Sequence, residues 1–185
     1  MSQPWLILVT GPPCSGKSTL AARLSRDTGW PVLAKDGYKE ILFDVLGTGD
    51  AAWSRRLSVV AFEVQLGVAE AVLGAGLGLI LDGNFTAARH SQRISAMAAG
   101  PARALQVACH ARAGVLAERH RLRARTATRH AGHLDAQSAI AATDPTRYAP
   151  LPSLATLSYD SEAGDAAYER LLEELGSIGA TPAGN

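Results

Sequence analysis

Two glycines, a lysine and a serine near the N-terminus have the spacing of a phosphate-binding loop. The segment Gly11-Pro-Pro-Cys-Ser-Gly16-Lys17-Ser18 fits the pattern G-x-x-x-x-G-K-[ST]. Glycines let the backbone wrap around phosphates with its N–H groups inward, and the N-terminus of the next helix favours anions. The lysine then reaches the β- and γ-phosphates and the serine binds Mg²⁺. We therefore expect ATP contacts from the loop residues Gly11, Pro12, Pro13, Cys14, Ser15, Gly16, Lys17, Ser18 and Thr19.

Two aspartates follow predicted strands and could serve the same chemistry. Asp82 directly follows the apolar run 77–81. A carboxylate at such a strand end could hold Mg²⁺ directly or through water. The alternative is that Asp82 only opens a turn. Asp36 follows another short apolar run, and its carboxylate could accept the proton of a substrate hydroxyl. Aspartate is also a favoured N-cap, and a helix is expected near Tyr38, so both roles can coexist.

A basic segment lies between residues 118 and 133, with arginines at positions 119, 121, 123, 125 and 129. Arg119 and Arg123 share one face of a helix, and a planar guanidinium can bind two phosphate oxygens. Such a cluster can stabilise the charge of a phosphoryl-transfer transition state. The alternatives are a nucleic-acid contact and a solvated structural face, although Glu118 has no basic partner four residues on. Lys35 and Lys39, near Asp36, are expected to be solvated.

Composition limits the class of protein. With 185 residues, 47% of them hydrophobic and 19% charged, the chain is expected to form one globular domain. Its net charge of +1 gives no global reason to expect nucleic-acid or membrane binding. Cys14 and Cys109 do not make a disulfide framework. We find neither a signal-like N-terminus nor an apolar run of about 20 residues, and expect a cytoplasmic monomer or dimer.

The predicted elements alternate between strands and helices. Strands are expected at 5–10, 31–34, 77–81, 104–109 and 154–159, and helices at 18–28, 38–46, 51–73, 87–99, 113–128, 134–142 and 165–175. This alternation favours βαβ units and an α/β fold with a parallel sheet, in which ligands bind beyond the carboxyl ends of the strands. The domain is expected to span 1–178, followed by a flexible tail at 179–185.

Two of these helices carry apolar residues at helical spacing. In the helix at 38–46 the expected apolar side consists of Ile41, Leu42, Val45 and Leu46. In the helix at 51–73 it consists of Leu57, Val60, Ala61, Val64, Val68 and Val72. We expect these sides to face the protein interior.

The chain resembles the small P-loop kinases of the adenylate-kinase-like group. Within that group it is similar to the short bacterial AAA family ATPases or predicted kinases related to gluconate kinase, chloramphenicol phosphotransferase and zeta-toxin-type kinases. The resemblance covers about residues 5–135 and rests on five segments: Gly11 to Thr19, Lys35 to Glu40, Leu42 to Asp44, Leu81 to Phe85, and Arg119 to His133.

The resemblance implies a three-layer P-loop NTPase fold with a five-stranded parallel sheet and a short arginine-rich lid at about 119–135. It places Arg119 near the adenine and Arg123 near the phosphates, and has Arg125 or Arg129 reach the transferred phosphoryl group. It also implies that Asp36 faces the acceptor. The other candidates for the acceptor pocket are Asn84 and Arg89.

These features predict a phosphotransferase that moves the γ-phosphoryl group of ATP, with Mg²⁺, to a hydroxyl of an unidentified small molecule. Lys17, Asp36, Arg123 and Arg129 are the expected catalytic residues, and Ser18 and Asp82 the expected metal ligands. Two alternatives stay open. The chain could be a polynucleotide or RNA kinase, or a nucleotide-dependent switch that has no acceptor.

Overall fold

In a computed structural model, residues 3–123, 130, 132–133 and 148–180 are described. They contain a five-stranded sheet in the order β2-β3-β1-β4-β5, with every neighbouring pair parallel. The strands are β1 (Trp5–Thr10), β2 (Val32–Ala34), β3 (Leu79–Asp82), β4 (Arg103–His110) and β5 (Ala155–Asp160). The predicted α/β fold with a five-stranded parallel sheet is confirmed.

Six helices accompany this sheet in the described part of the chain. They are α1 (Lys17–Thr28), α2 (Lys35–Leu46), α3 (Ala51–Gly74), α4 (Ala87–Ala99), α5 (Ala113–Arg123) and α6 (Gly164–Ser177). Local residues explain several ends. Gly29 closes α1 in the left-handed conformation that glycine adopts without strain. The Asp50 side chain caps α3 by accepting from the Trp53 N–H. The predicted helix at 134–142 lies outside the described residues.

The two faces of the sheet carry separate cores. On one face, Ile7 and Val9 pack with residues of α1 and α6. On the other face, Leu6 and Leu8 pack with residues of α3 and α4. Alternate residues of β1 therefore serve both cores, as expected for a continuous apolar strand buried on both sides. Full burial of each such side chain stabilises the fold by roughly 1.5–3 kcal/mol.

The sheet order sets the positions of the chemically important residues. The strands β2, β3 and β1 are neighbours, and their carboxyl ends lead to Asp36, Asp82 and the glycine-rich loop respectively. Adjacent strands lie about 4.8 Å apart, so the three ends form one short row. A buried amide on α3 joins two of them, because Gln65 Nε2 donates to the carbonyl oxygens of Leu33 at 2.7 Å and Asp82 at 3.0 Å.

The apolar sides expected for α2 and α3 are partly wrong. On α2, Ile41 and Val45 are 60% and 75% exposed, whereas Lys39 and Phe43 are buried. The structure begins α2 at Lys35, before the expected Tyr38, so Asp36 lies in its first turn and is not the N-cap. Of the α3 residues expected on the apolar side, Val60, Val64 and Val68 are exposed. The buried residues of α3 are Ser54, Leu57, Ala61, Gln65, Leu66, Ala69 and Leu73. Packing against the sheet and α2 decides which side is buried.

By length and composition alone, α3 is the one helix among the described residues that could cross a membrane. The sequence analysis did not anticipate an apolar segment of this length. Its buried side packs in the core beneath the sheet, and its Gln65 side chain bonds to two strand carbonyls. These contacts make α3 a helix of the protein core.

The chain after α6 packs further than expected. The indole N–H of Trp5 donates to the carbonyl of Gly179 at 2.7 Å, and Ala180 is fully buried in the core of the α1 and α6 face. Positions 179 and 180, expected to begin a flexible tail, are therefore held against the amino end of β1. Residues 181–185 lie outside the described part of the chain.

Candidate functional site

The loop between β1 and α1 is shaped by residues with positive φ angles. Gly11 has φ +138°, Cys14 +65° and Gly16 +89°. A Cβ atom on Gly11 would lie 2.2 Å from the carbonyl oxygen of Cys109, so no other residue fits there without displacing the backbone. The loop closes tightly above β4 and leads directly into α1. The first turn of α1 contains no acidic residue, which leaves its amino end favourable for an anion.

The Lys17 side chain lies over this loop. Its ammonium group donates to the carbonyl of Pro12 at 2.8 Å. Burial lowers the pKa of Lys17, opposed chiefly by the Asp82 carboxylate and more weakly by Asp36. A desolvated cation beside a loop of inward N–H groups is a strong point of attraction for phosphate.

Ser18 and Asp82 meet where the predicted metal site should lie. The Ser18 hydroxyl donates to Asp82 Oδ2 at 2.6 Å. Burial raises the pKa of Asp82, and the bond from Ser18 and the charge of Lys17 act against this shift. A buried carboxylate paired with a hydroxyl oxygen fits Mg²⁺, which usually takes one or two protein oxygens together with substrate phosphates. No cluster of three or more His, Cys, Asp or Glu able to hold a metal occurs in the described residues.

The nucleotide cavity is the space of about 430 Å³ that borders the start of α1. Its polar lining includes Thr19, Arg23, Arg119, Arg123 and Ser161, together with loop residues. Arg119 is anchored on the loop, because it donates to the carbonyl of Cys14 at 3.3 Å and to the Ser161 hydroxyl at 2.8 Å. The contact between Arg119 and Ser161 joins segments 42 residues apart, so local spacing could not predict it.

A second space of about 1010 Å³ borders the loop, and we call it the acceptor cavity because Asp36, which is expected to face an acceptor, lines it. The predicted residues Pro13, Asp36, Asn84 and Arg89 line it. Asp36 is exposed to this space and accepts a bond from its neighbour Lys35 at 3.0 Å. The two cavities share a wall formed by Cys14, Lys17, Ser18 and Arg123. Gly11, Pro12 and Ser15 line neither cavity and form the base of the loop.

The α2–α3 wall of the acceptor cavity contains residues that sequence analysis missed. Lys39 is only 6% exposed, and its ammonium donates to the Ser54 hydroxyl at 2.7 Å, so the expectation that it is solvated is wrong. Because α2 starts at Lys35, Lys39 lies one turn further along and faces α3. Arg55 and Arg56 in α3 also line the cavity. The sequence shows that these two arginines are adjacent, but only the position of α3 in the fold places them at this cavity.

The basic segment is described in part. Within α5, Glu118 forms an ion pair with Arg121 at 2.6 Å. The two residues are three positions apart, whereas the sequence was searched for a partner four positions away. Beyond α5, His130 and His133 contact Asp44 and Glu40 of α2 at 3.1 and 2.8 Å. Arg125 and Arg129, expected near the nucleotide and the transferred phosphoryl group, lie outside the described residues.

The two cysteines should react at very different rates. Both are free, Cys14 borders both cavities, and burial raises the pKa of Cys109 to about 12. An iodoacetamide probe should modify Cys14 in preference to Cys109, because burial keeps Cys109 away from the probe and disfavours its reactive thiolate form. Bound Mg·ATP should slow that reaction. Mass spectrometry of the labelled peptides measures both effects, and Cys14→Ser is the control. Preferential labelling of Cys109 would contradict this assignment of environments.

Comparison with known proteins agrees with this geometry. The sequence profile of the AAA domain family (AAA_33) matches residues 6–142. A "putative kinase" from Chloroflexus aurantiacus J-10-fl is 31% identical, with a TM-score of 0.79, over 93% of this chain and 98% of its own. No curated protein sequence matches.

Two further solved structures show likeness of fold alone. A sugar kinase from Janibacter sp. HTCC2649 is 18% identical, with a TM-score of 0.62, over 99% of this chain and all of its own. Kti12 from Chaetomium thermophilum, in complex with ADP-AlF3, is 17% identical, with a TM-score of 0.69, over 97% of this chain and all of its own. The profile match and the 31% identical relative, together with the loop geometry, establish that this chain belongs to the AAA domain family and has its P-loop kinase-like fold.

Proposed function

We propose that the chain is a kinase that transfers the γ-phosphoryl group of ATP to a hydroxyl group of a small molecule. The observation that carries the proposal is the shared wall between the two cavities. Cys14, Lys17, Ser18 and Arg123 border both the nucleotide cavity and a much larger second space. Asp36 contributes a carboxylate to that second space. A nucleotide switch without an acceptor has no need of such a space beside the phosphate loop.

The reaction follows from these positions. The acceptor hydroxyl oxygen forms a bond to the γ-phosphorus, the bond from that phosphorus to the β–γ bridging oxygen breaks, and ADP leaves. Asp36 accepts the hydroxyl proton. Lys17 and Arg123 hold the phosphate oxygens and stabilise the charge of the transition state, and Arg119 supports the nucleotide side. Ser18 and Asp82 would hold Mg²⁺, which when bound neutralises phosphate charge.

The alternative of a nucleic-acid kinase finds less support. That proposal used the arginines of the basic segment as a continuous row for a phosphate backbone. In its described part, Arg119 points at the phosphate loop and Arg121 pairs with Glu118. The sugar kinase that shares the fold favours a small acceptor, by analogy alone.

ADP release from Mg·ATP tests the proposal. The purified protein is assayed alone and with sugars, sugar acids, sugar phosphates, aminoglycosides, chloramphenicol, nucleosides and 5′-hydroxyl oligonucleotides. We expect at least one small molecule to raise ADP release well above the basal rate, and mass spectrometry to find it heavier by one phosphoryl group. Stimulation by oligonucleotides alone would favour the nucleic-acid kinase. A basal rate that no compound changes would favour the nucleotide switch.

A further inference from the structure

Positive charge is concentrated in the acceptor cavity. Without Lys17, Arg123 and Asp82, which the proposed mechanism assigns to ATP and Mg²⁺, its described lining has a surplus of four positive charges in a chain whose net charge is +1. The whole described lining contains seven Lys and Arg side chains and two carboxylates. All three lysines of the sequence are among them: Lys17, Lys35 and Lys39. Lysine is usually spread over protein surfaces, so its restriction to one cavity points to a ligand there and not to solubility.

Three arginines of this lining have no carboxylate partner. No ion pair joins Arg55, Arg56 or Arg89 to an acid within the part of the chain that the structure describes. Four exposed or half-exposed arginines elsewhere pair with Asp or Glu, namely Arg23, Arg93, Arg112 and Arg121. Guanidinium groups in a concave space bind planar or tetrahedral oxyanions in two-point contacts.

Other groups of the lining shape the same space. Lys39 is buried in this lining, where its ammonium donates to the Ser54 hydroxyl at 2.7 Å. Asn84 Oδ1 has no hydrogen-bond partner among the described residues, so its capacity to accept a bond is unused there. Burial lowers the pKa of His90, which keeps this histidine neutral and leaves the arginines and lysines to supply the charge.

We propose that the acceptor is a hydroxylated molecule that already carries an anionic group, a phosphate or a carboxylate. Arg55 and Arg56 of α3, with Arg89 of α4, are the cavity-lining cations that bind that group. The hydroxyl to be phosphorylated then lies toward Asp36 and the phosphate loop. The identification of this ligand as the acceptor rests on the kinase function proposed above, but the anion site itself does not.

Binding to the complex with Mg·AMPPNP tests the anion site without turnover. The nucleotide analogue fills the phosphate loop, so an added anion must bind elsewhere. Isothermal titration then compares three compounds on one carbon skeleton: D-glucitol, D-gluconate and D-glucitol 6-phosphate. Inorganic phosphate serves as a probe that is independent of the skeleton. We expect D-gluconate or D-glucitol 6-phosphate to bind at least 10-fold more tightly than D-glucitol. Whichever of the two binds more tightly shows whether the site prefers a carboxylate or a phosphate.

The double variant Arg55→Gln/Arg56→Gln should weaken that binding by a factor on the order of 10². Arg170→Gln, an exposed arginine of α6 on the opposite face of the sheet, removes the same kind of charge and should have no effect. Equal binding of glucitol and the anions, unchanged binding in the double variant, or no binding of any anion would overturn the inference. If anions bind but no acceptor stimulates ADP release, the kinase proposal fails and the anion site stands. If a neutral acceptor is phosphorylated and no anion binds, the anion site fails and the kinase proposal stands.

Discussion

Lys17→Ala should lower acceptor-dependent phosphoryl transfer by a factor on the order of 10²–10³, the usual effect of removing one group that stabilises transition-state charge. The physical reason is the position of the ammonium group. It lies over the loop, 2.8 Å from the Pro12 carbonyl, and borders both cavities, so it is a cation beside the place where the two proposed ligands would meet. Steady-state ADP release and nucleotide titration measure the change.

The fold should survive this substitution. In the described part of the chain the Lys17 side chain donates one hydrogen bond, to a loop carbonyl, and its removal relieves the cost of a desolvated charge. Thermal unfolding should therefore change little. Arg26→Ala, near the exposed far end of the same helix, is the matched control and should retain full activity. Unchanged nucleotide affinity and turnover in Lys17→Ala would remove the phosphate loop from the proposed mechanism.

Asp36→Asn should reduce acceptor-dependent ADP release by a factor on the order of 10²–10⁴, the range expected for loss of a general base. Asparagine keeps the size and a hydrogen-bond acceptor but cannot take up the proton. Nucleotide affinity should be nearly unchanged, because Asp36 lines only the acceptor cavity. The diagnostic result is a variant that loses the acceptor-dependent rate but keeps the wild-type Kd for ATP.

The stability of this variant should fall by less than about 1 kcal/mol. Asp36 is exposed in the first turn of α2, where a carboxylate interacts favourably with the helix dipole, and its pair with Lys35 is partly exposed. Asp44→Asn, at the other end of α2, is the control for removing an acid from this helix. If Asp36→Asn keeps the full acceptor-dependent rate, another group accepts the proton.

The sequence predicts the nucleotide side of the site well, for a local reason. The phosphate loop is one continuous segment whose geometry depends on its own glycines, so Gly11, Gly16 and Lys17 could be placed from spacing alone. The position of Asp82 could be predicted because a buried apolar run usually ends where a parallel strand ends. Its contact with Ser18 then requires only that β1 and β3 be neighbours.

The acceptor side could not be predicted in the same way. Lys39, Ser54, Arg55 and Arg56 belong to two helices whose apolar patterns suggested other buried sides. Val60, Val64 and Val68 repeat at helical spacing but are exposed, while Gln65 is buried because it bonds to the ends of β2 and β3. Which side of α3 faces the cavity depends on such tertiary bonds, and no local pattern encodes them.

A large share of the acceptor wall comes from one continuous segment of the chain, the excursion between β2 and β3. Between the end of β2 and the start of β3, residues 35–62 supply about half of the lining of the acceptor cavity and none of the nucleotide cavity. The phosphate loop, Asp82 and the sheet lie outside this excursion. In the proposed kinase, ATP binding and much of the acceptor binding would therefore depend on separate segments of the chain. Exchange of α2 and the first half of α3 between relatives would therefore be a natural route to new acceptors, since the machinery for ATP would stay in place.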